Sequence, residues 1–527
     1  MSELAAMKEQ VESRLKNHEE ETGSGSEGGG PEEMFDSKFL MKCISENVLG
    51  DAKIYMALFR DRFVFNKAMN SWMRWCGDYW EIDKISCGAL EAVEEVAKVY
   101  QNEAMEISNK IRESADDEGI AVATLKADRN ALNKRVFALR DPARRKKCLD
   151  FVCSSDGALT IEGDEIDQKP YLLPCKNGVI NLKTGDLEKG RPGDYLMMAS
   201  PVEWKGIDTP TPIWDKFLFE IFIGNMKLVM FLQRLIGLGL IGKVIVGIFV
   251  VLSGKGRNGK GTIIETITSA LSTGLAGAVR SEMLLDQGRM NSSAGPTADI
   301  MALRGRRLIF ASETDENCRI STSRVKWLTG NDTLSGRNPN DKYEVNFKPT
   351  HTLFLQTNNK PHAPADDFAF WERMILIPFT LSYVNREPND ESERRADLSL
   401  PEKLEAEYSG ILAWMVRGCL EFQKIGLEPP AVVKEAVQEY QRDEDSVADF
   451  IDECCVVGPG YSVGATAAYE AFEKWWEKNV SKKVPTQRRF GTFFSRRFGK
   501  EKQGTIKYTG VGLLCDPSTE PDKMFQE

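Results

Sequence analysis

Residues 252–262 read LSGKGRNGKGT and follow the apolar run VIVGIFVV at 244–251. Four glycines and three cations within eleven residues are an odd continuation for a buried strand. Gly254, Gly259 and Lys260 fit the spacing G-x-x-x-x-G-K, and the helix-like run TIIETITSAL comes next. Between a strand and a helix, small residues let backbone N–H groups close around a β-phosphate. The helix N-terminus adds positive potential, and the lysine reaches the β and γ oxygens. A plain surface turn has no use for this combination. Gly254, Gly256, Asn258, Gly259, Lys260, Gly261 and Thr262 are therefore the expected contacts to ATP. One departure stands out: Gly261 occupies the place where a serine or threonine ordinarily binds Mg²⁺. Either Thr262 takes the metal one residue later, or water replaces the missing hydroxyl.

The chemistry needs more than a phosphate cradle. The apolar strand RLIFA (307–311) runs into SETDE (312–316), where a carboxylate at the strand end can polarise water and help to hold Mg²⁺. Glu313 is the first choice, with Asp315 or Glu316 as alternatives, and an exposed acidic turn fits the same letters. The next strand, TLFLQ (352–356), leads into TNNKP and offers Asn358 or Asn359 as a polar group at its end. FWERMILIPF sets Arg373 just before the last strand, where it could reach a neighbouring subunit's nucleotide. Four such elements in this order point together to nucleotide hydrolysis.

The series GKGRNGKGT, RLIFASETDE, KWLTGNDTLSGRNPNDKYEVNFKPTHTLFLQTNNKP and FWERMILIPF resembles the superfamily three helicase module of phage, plasmid and poxvirus primase–helicases. KNGVINLKTGDL before it and GILAWMVRGCLEFQ…PPAVVKEAVQEY after it extend the resemblance over roughly residues 170–455. The resemblance implies an AAA+-like ATPase that forms a hexameric ring around one DNA strand. It implies that Lys260 binds phosphate, Glu313 supports water activation and metal, Asn358 is the sensor and Arg373 is a finger acting in trans. The family's extra motif falls on 326–348, so that Lys326, Arg337 and Lys342 would present charge to DNA in the channel. A solvated basic loop is the alternative for each.

Bulk properties set the frame. A chain of 527 residues exceeds one core and suggests about three to four domains. Eleven cysteines without a CxxC pair, beside only three histidines, argue for reduced buried thiols over a zinc site or a disulfide framework. No run qualifies as a membrane span, and the charged start MSELAAMKEQVESRLKNHEEE has no apolar signal core, so the host cytoplasm is the expected location. A net charge of −10 disfavours a chain coated in nucleic acid but allows a local basic groove.

The expected architecture is α/β: a P-loop AAA+-like ATPase core, a mainly helical N-terminal region and a small C-terminal winged-helix-like domain. Its parts are a flexible head and Gly/Ser tether (1–34), a mainly helical region ending in a strand pair (35–210), the ATPase core (211–385), a helical extension (386–458) and a basic domain (459–527). The strand pair is LLPCKNGVINLKTGDL (172–187), turning at Lys-Thr-Gly-Asp, and the aromatic cluster WMRWCGDYW (72–80) reads as core packing rather than a base-stacking platform. A primase domain needs paired carboxylates and a histidine on a sheet. Residues 1–170 supply only His18 and helical patterning, so the chain reads as the helicase half, with a separate primase or polymerase as partner or with priming not needed. In the last domain, SKKVPTQRRFGTFFSRRFGKEK (481–502) holds eight Lys/Arg against one Glu, and Arg488, Arg489, Arg496 and Arg497 would contact DNA phosphates. A basic face for docking protein is the alternative there.

The reading that results is a replicative DNA helicase of a phage, plasmid or other mobile element. It would act as an ATP-driven ring on single-stranded and forked DNA. A DNA-packaging or remodelling motor and a catalytically weak origin-binding AAA+ scaffold are its rivals.

Overall fold

The computed structural model describes residues 35–113, 120–286, 297–312, 318–337, 339, 344–480, 484–503 and 505–514. The chain divides after Ile166 into two compact units, with Gly77–Tyr79 counted in the second.

The first unit packs helices α1 (Ser37–Ser45), α2 (Val48–Phe59), α3 (Cys87–Glu113), α4 (Ile120–Leu139) and α5 (Pro142–Ser154) with a sheet of order β3-β2-β1-β4. Its strands are β1 (Phe63–Asn66), β2 (Ser71–Trp75), β3 (Trp80–Ile82) and β4 (Thr160–Ile161). The helices obey the expected pattern: Val93, Val96, Ala97, Tyr100, Ala104 and Ile107 line one buried face of α3 at helical spacing. The sheet goes beyond the mainly helical expectation. WMRWCGDYW is an antiparallel hairpin, β2 to β3, with Gly77 at φ +103° in its turn. Trp72 and Trp80 are buried, which bears out the core reading of that cluster. Aromatic residues suit a pleated, half-buried surface as well as they suit a helix. Asp51 of α2 is fully buried, pairs with Arg135 (2.7 Å) and Arg144 (2.6 Å), and accepts the Tyr100 hydroxyl at 3.1 Å. One carboxylate thus ties α2 to α3, α4 and α5.

The second unit begins with β5 (Leu172–Cys175), β6 (Gly178–Asn181) and β7 (Leu187–Glu188) in an antiparallel meander. The first turn falls at Lys176–Asn177, and the predicted Lys-Thr-Gly-Asp turn joins β6 to β7 instead. Next come α6 (Pro212–Ile221) and α7 (Met226–Gly239), then a five-stranded parallel sheet. Its members are β8 (Phe249–Ser253), β9 (Ala276–Arg280), β10 (Leu308–Ser312), β13 (Thr352–Thr357) and β14 (Met374–Pro378), in the order β14-β8-β13-β10-β9. Helix α8 (Lys260–Leu271) connects β8 to β9, and α9 (Thr322–Thr329) and the hairpin β11 (Leu334–Gly336) with β12 (Val345–Phe347) lie between β10 and β13. The molecule is thus mixed α/β with a parallel sheet, as expected. The apolar run 244–251 becomes strand only at Phe249, and Ile245 and Val246 are exposed. Strand β9, AGAVR, escaped the sequence reading because Ala and Gly carry no strand signal and the strand lies at the sheet edge.

Short strands β15 (Ser382–Val384) and β16 (Glu393–Arg395) and helices α10 (Tyr408–Ile425) and α11 (Ala431–Asp443) follow. Helix α11 buries Val433 and Tyr440 and half-buries Ala436 and Val437, the face its periodicity predicts. The chain ends in α12 (Ser446–Cys454), β17 (Cys455–Gly464), α13 (Ala465–Asn479), α14 (Gln487–Arg497), β18 (Gly499–Gln503) and β19 (Thr505–Leu513). The three strands form an antiparallel sheet, β17-β19-β18, around a core that includes Phe450, Phe472, Phe490 and Phe494. Among the described residues, no single helix is long and apolar enough to cross a membrane.

His351, just ahead of β13, is buried, and burial outweighs the Leu328 backbone to hold its imidazole down at about 4, from an ordinary 6.5. Between those values the unfolded chain takes up a proton that the folded chain refuses, so stability falls as the pH drops from 6.5 towards 4. Moving from pH 7 to pH 5 should cost roughly 2 kcal/mol through this residue alone. His351→Leu should remove that part of the acid sensitivity, measured as the change in urea midpoint between the two pH values.

Candidate functional site

Parallel strands bring their C-terminal ends to one edge. Ser253 of β8 is in register with Thr357 of β13, and Ser312 of β10 with Gln356. At this edge the chain leaves β8 through residues 254–259 and enters α8. Gly254 N donates to Thr357 O at 3.3 Å, which fastens the turn to the neighbouring strand. A Cβ on Gly254 would stand 2.2 Å from Phe379 O and 2.4 Å from Asn258 Nδ2, so only glycine fits. Gly259 caps α8 at φ +86°, a left-handed conformation that side chains rarely adopt. Its missing Cβ also leaves room for Ile221 and Phe217, which would lie 3.1 and 3.2 Å away. Gly256 and Gly261 face open space. The amides of the first turn of α8 have no acceptors within the helix, so they are available to an anion seated in the turn.

Lys260, only 1% exposed, lies at the base of the turn. Its ammonium donates to Gly254 O and lies 3.4 Å from Asn358 Oδ1. A buried cation is costly unless oxygens surround it, and these two belong to the glycine turn and to the end of β13. Asn358 and Asn359 are exposed, and Thr357 Oγ1 donates to Asn359 O at 2.5 Å. Asn258 is 3% exposed, and its buried Nδ2 has no protein acceptor among the described residues. Thr262 is half-buried in the first turn of α8. Glu313, with the rest of 313–317, lies outside the described residues, and β10 ends one residue before it, two strands from β8. The structure therefore brings Lys260 and Asn358 together with the glycine turn.

Arg373 is elsewhere. It precedes Met374, which pairs with Phe249 at the opposite end of the sheet. Five residues of strand at about 3.3 Å each separate that end from the glycine turn, roughly 16 Å. Its Nη1 donates to Ala369 O at 2.6 Å, and its Nε is buried without a partner among the described residues. Arg373 does not join the site of its own chain.

The residues expected to meet DNA behave differently from one another. Lys326 is ion-paired: its ammonium lies 3.0 and 2.8 Å from the two oxygens of Asp367, and its side chain stays 32% exposed. Burial raises the Asp367 carboxyl, but the Lys326 ammonium, the Thr322 hydroxyl and the Phe370 amide together outweigh it and leave the group lower than usual. Arg337, just after β11, is half-buried, and its backbone N donates to Thr297 Oγ1 at 3.0 Å. Lys342 lies outside the described residues. On α14, Arg488 is exposed and Arg497 is paired with Asp445, the N-cap of α12, an engagement that sequence reading did not foresee. The side chains of Arg489 and Arg496 lie outside the described set.

Residues 52–223 match the family described as "D5 N terminal like". Over 350 residues the chain is 25% identical to "Putative helicase L207/L206" of Acanthamoeba polyphaga mimivirus, covering 63% of this chain and 36% of that protein. "Putative helicase 121R" of Invertebrate iridescent virus 3 is 23% identical over 516 residues, 86% of this chain and 53% of its own. "Putative primase C962R" of African swine fever virus (isolate Tick/Malawi/Lil 20-1/1983) is 20% identical over 347 residues, 60% of this chain and 34% of its own. The chain is similar to viral proteins named helicase and primase. It spans about a third to a half of the length of these relatives. Among solved structures, "The apo structure of NrS-1 C terminal region (305-718)" overlaps 66% of this chain and 95% of its own, at 14% identity and a TM-score of 0.35.

The two kinds of glycine in the turn should respond oppositely to a methyl group. Gly254→Ala forces backbone apart and should cost about 1–3 kcal/mol of stability, as overpacking does. Gly261→Ala meets nothing and should be neutral or stabilising by up to about 1 kcal/mol. Denaturant midpoints of the two variants test this directly.

Proposed function

We propose that this chain is the ATP-hydrolysing module of a replicative DNA helicase from a virus, phage, plasmid or other mobile element. One observation carries the reading. Counted in chain order, the parallel sheet runs 5-1-4-3-2, and the glycine turn with its buried lysine follows the first strand, which lies inside the sheet between the fifth and the fourth. That layout suits a P-loop ATPase of the AAA+ type, superfamily three. Fit to a phosphate is supported by the open space at Gly256 and Gly261 and by the buried Asn258 amide, whose Nδ2 has no partner among the described residues. The viral relatives support a role in replication.

In this mechanism the turn and the first amides of α8 hold the β-phosphate, and Lys260 gives up its contact with Gly254 O to reach the β and γ oxygens. Asn358, already beside Lys260, orients the attacking water, and Glu313, next in sequence after β10, draws its proton. Bound Mg²⁺ would neutralise charge on the β and γ oxygens, with the Thr262 hydroxyl and Glu313 as the residues to hold it. Arg373, at the far end of the sheet, serves the nucleotide of a neighbouring subunit in a hexameric ring. The helix–strand–helix–helix–strand–strand order of 446–513 suits a winged helix. There Arg488, Arg489 and Arg496 meet phosphates of single-stranded or forked DNA, while Arg337 and Lys342 face the ring's channel. The module works in the host cytoplasm alongside a primase or polymerase activity.

Lys260→Ala should bind ATP weakly and hydrolyse none. Arg373→Ala should bind ATP and lose about three to five orders of magnitude in hydrolysis. Mixing the two inactive proteins should restore turnover, because some interfaces then join a sound loop to a sound arginine. Mixed rings without activity would make Arg373 structural, and parental hydrolysis by Lys260→Ala would remove the phosphate site.

A further inference from the structure

Lys260, at the base of the glycine turn, lies 3.4 Å from Asn358 Oδ1 on the segment that leaves β13, and that segment does not run free. Residues 360–365 are gripped on one side by the return from β10: Ile320 N donates to His362 O at 2.9 Å, and His362 N to Cys318 O at 2.8 Å. On the other side they are gripped by the end of α11. Tyr440, 1% exposed, donates its hydroxyl to Pro361 O, and Glu444 accepts Ala363 N at 3.0 Å with His362 Nδ1 at 3.2 Å. The residue after Glu444 is Asp445, which caps α12 and pairs with Arg497 on the basic helix α14. Residues 318–320, after β10, and 360–365, after β13, are therefore tied through one helical turn to the C-terminal domain.

We infer that the turn Tyr440–Asp445 couples the nucleotide edge of the sheet to α14, so that the bound nucleotide sets the affinity for DNA. The inference rests on the proposed nucleotide site and on α14 facing DNA. A shift of 360–365 on nucleotide exchange has a rigid route outward: the buried Tyr440 hydroxyl cannot find water if Pro361 moves away, so α11 follows. Movement of α11 carries Asp445, and the pair with Arg497 sets whether that guanidinium is held or released to phosphate. Asp445 thus competes with DNA for one cation in a manner the nucleotide controls.

Two gentle variants test it. Tyr440→Phe removes one hydroxyl and keeps the ring against Trp371, 5.1 Å away. Asp445→Asn keeps the helix cap, since asparagine caps as well as aspartate, and removes only the charge. The readout is the affinity of the full chain for a labelled oligothymidylate, by anisotropy, with ADP and with a non-hydrolysable ATP analogue; nucleotide affinity is measured separately. The parent should differ between the two nucleotides by about fivefold or more, the usual range of coupling. Both variants should shrink the ratio below about twofold while binding nucleotide as the parent does. Parental ratios in both variants, or a parental ratio of one when nucleotide and DNA both bind, would overturn the coupling and leave the ATPase reading standing. A loss of nucleotide affinity in the variants would mark damage to the fold and count against it. A parent that binds no nucleotide would overturn the site reading itself, and the coupling with it.

Discussion

The ammonium of Lys260, buried beneath the glycine turn and held by Gly254 O and Asn358 Oδ1, is the constraint around which the second unit is arranged. A cation in that position needs oxygens supplied from two strands, which requires β8 and β13 to be adjacent and parallel with their ends level. The register that levels them, Ser253 beside Thr357, also puts the end of β10 at the same edge. It needs a turn tight enough for Gly254 to pass Phe379 O, and a helix start in left-handed geometry at Gly259. In the proposed reaction a phosphate takes over from Gly254 O, so the buried charge is satisfied in both states.

What could be read in advance follows from how local the signal is. The glycine turn, its lysine and the strands RLIFA, TLFLQ and MILIP announce themselves in a few consecutive residues, and each stands where its letters put it apart from the late start of β8. Helices with a single apolar face, α3 and α11, were equally legible. Strands without side-chain signal were not: β9 is Ala, Gly, Ala, Val and Arg, and β4 is two residues long. The hairpin at 71–82 was hidden among helices because tryptophan serves either structure.

Partnerships across long separations were invisible for a different reason. Asp51 meets Arg135 and Arg144, Lys326 meets Asp367, and Asp445 meets Arg497, each through tertiary packing that no window of sequence contains. Lys326 and Arg497 read as free basic residues because charge is evident in a sequence and pairing is not. The site was partly legible for the same reason. Which strand ends carry polar groups was clear, and the contact of Lys260 with Asn358, ninety-eight residues apart, was not.

The central claim is that the turn after β8 recognises phosphates. The most direct measurement is a calorimetric titration of the full chain with adenosine, AMP, ADP and ATP in Mg²⁺ buffer. If the backbone cradle and Lys260 carry the binding, ADP and ATP should bind and AMP and adenosine should be weaker by about a hundredfold or more, roughly 3 kcal/mol. Equal affinity across the four, or no binding of ATP, would contradict the account.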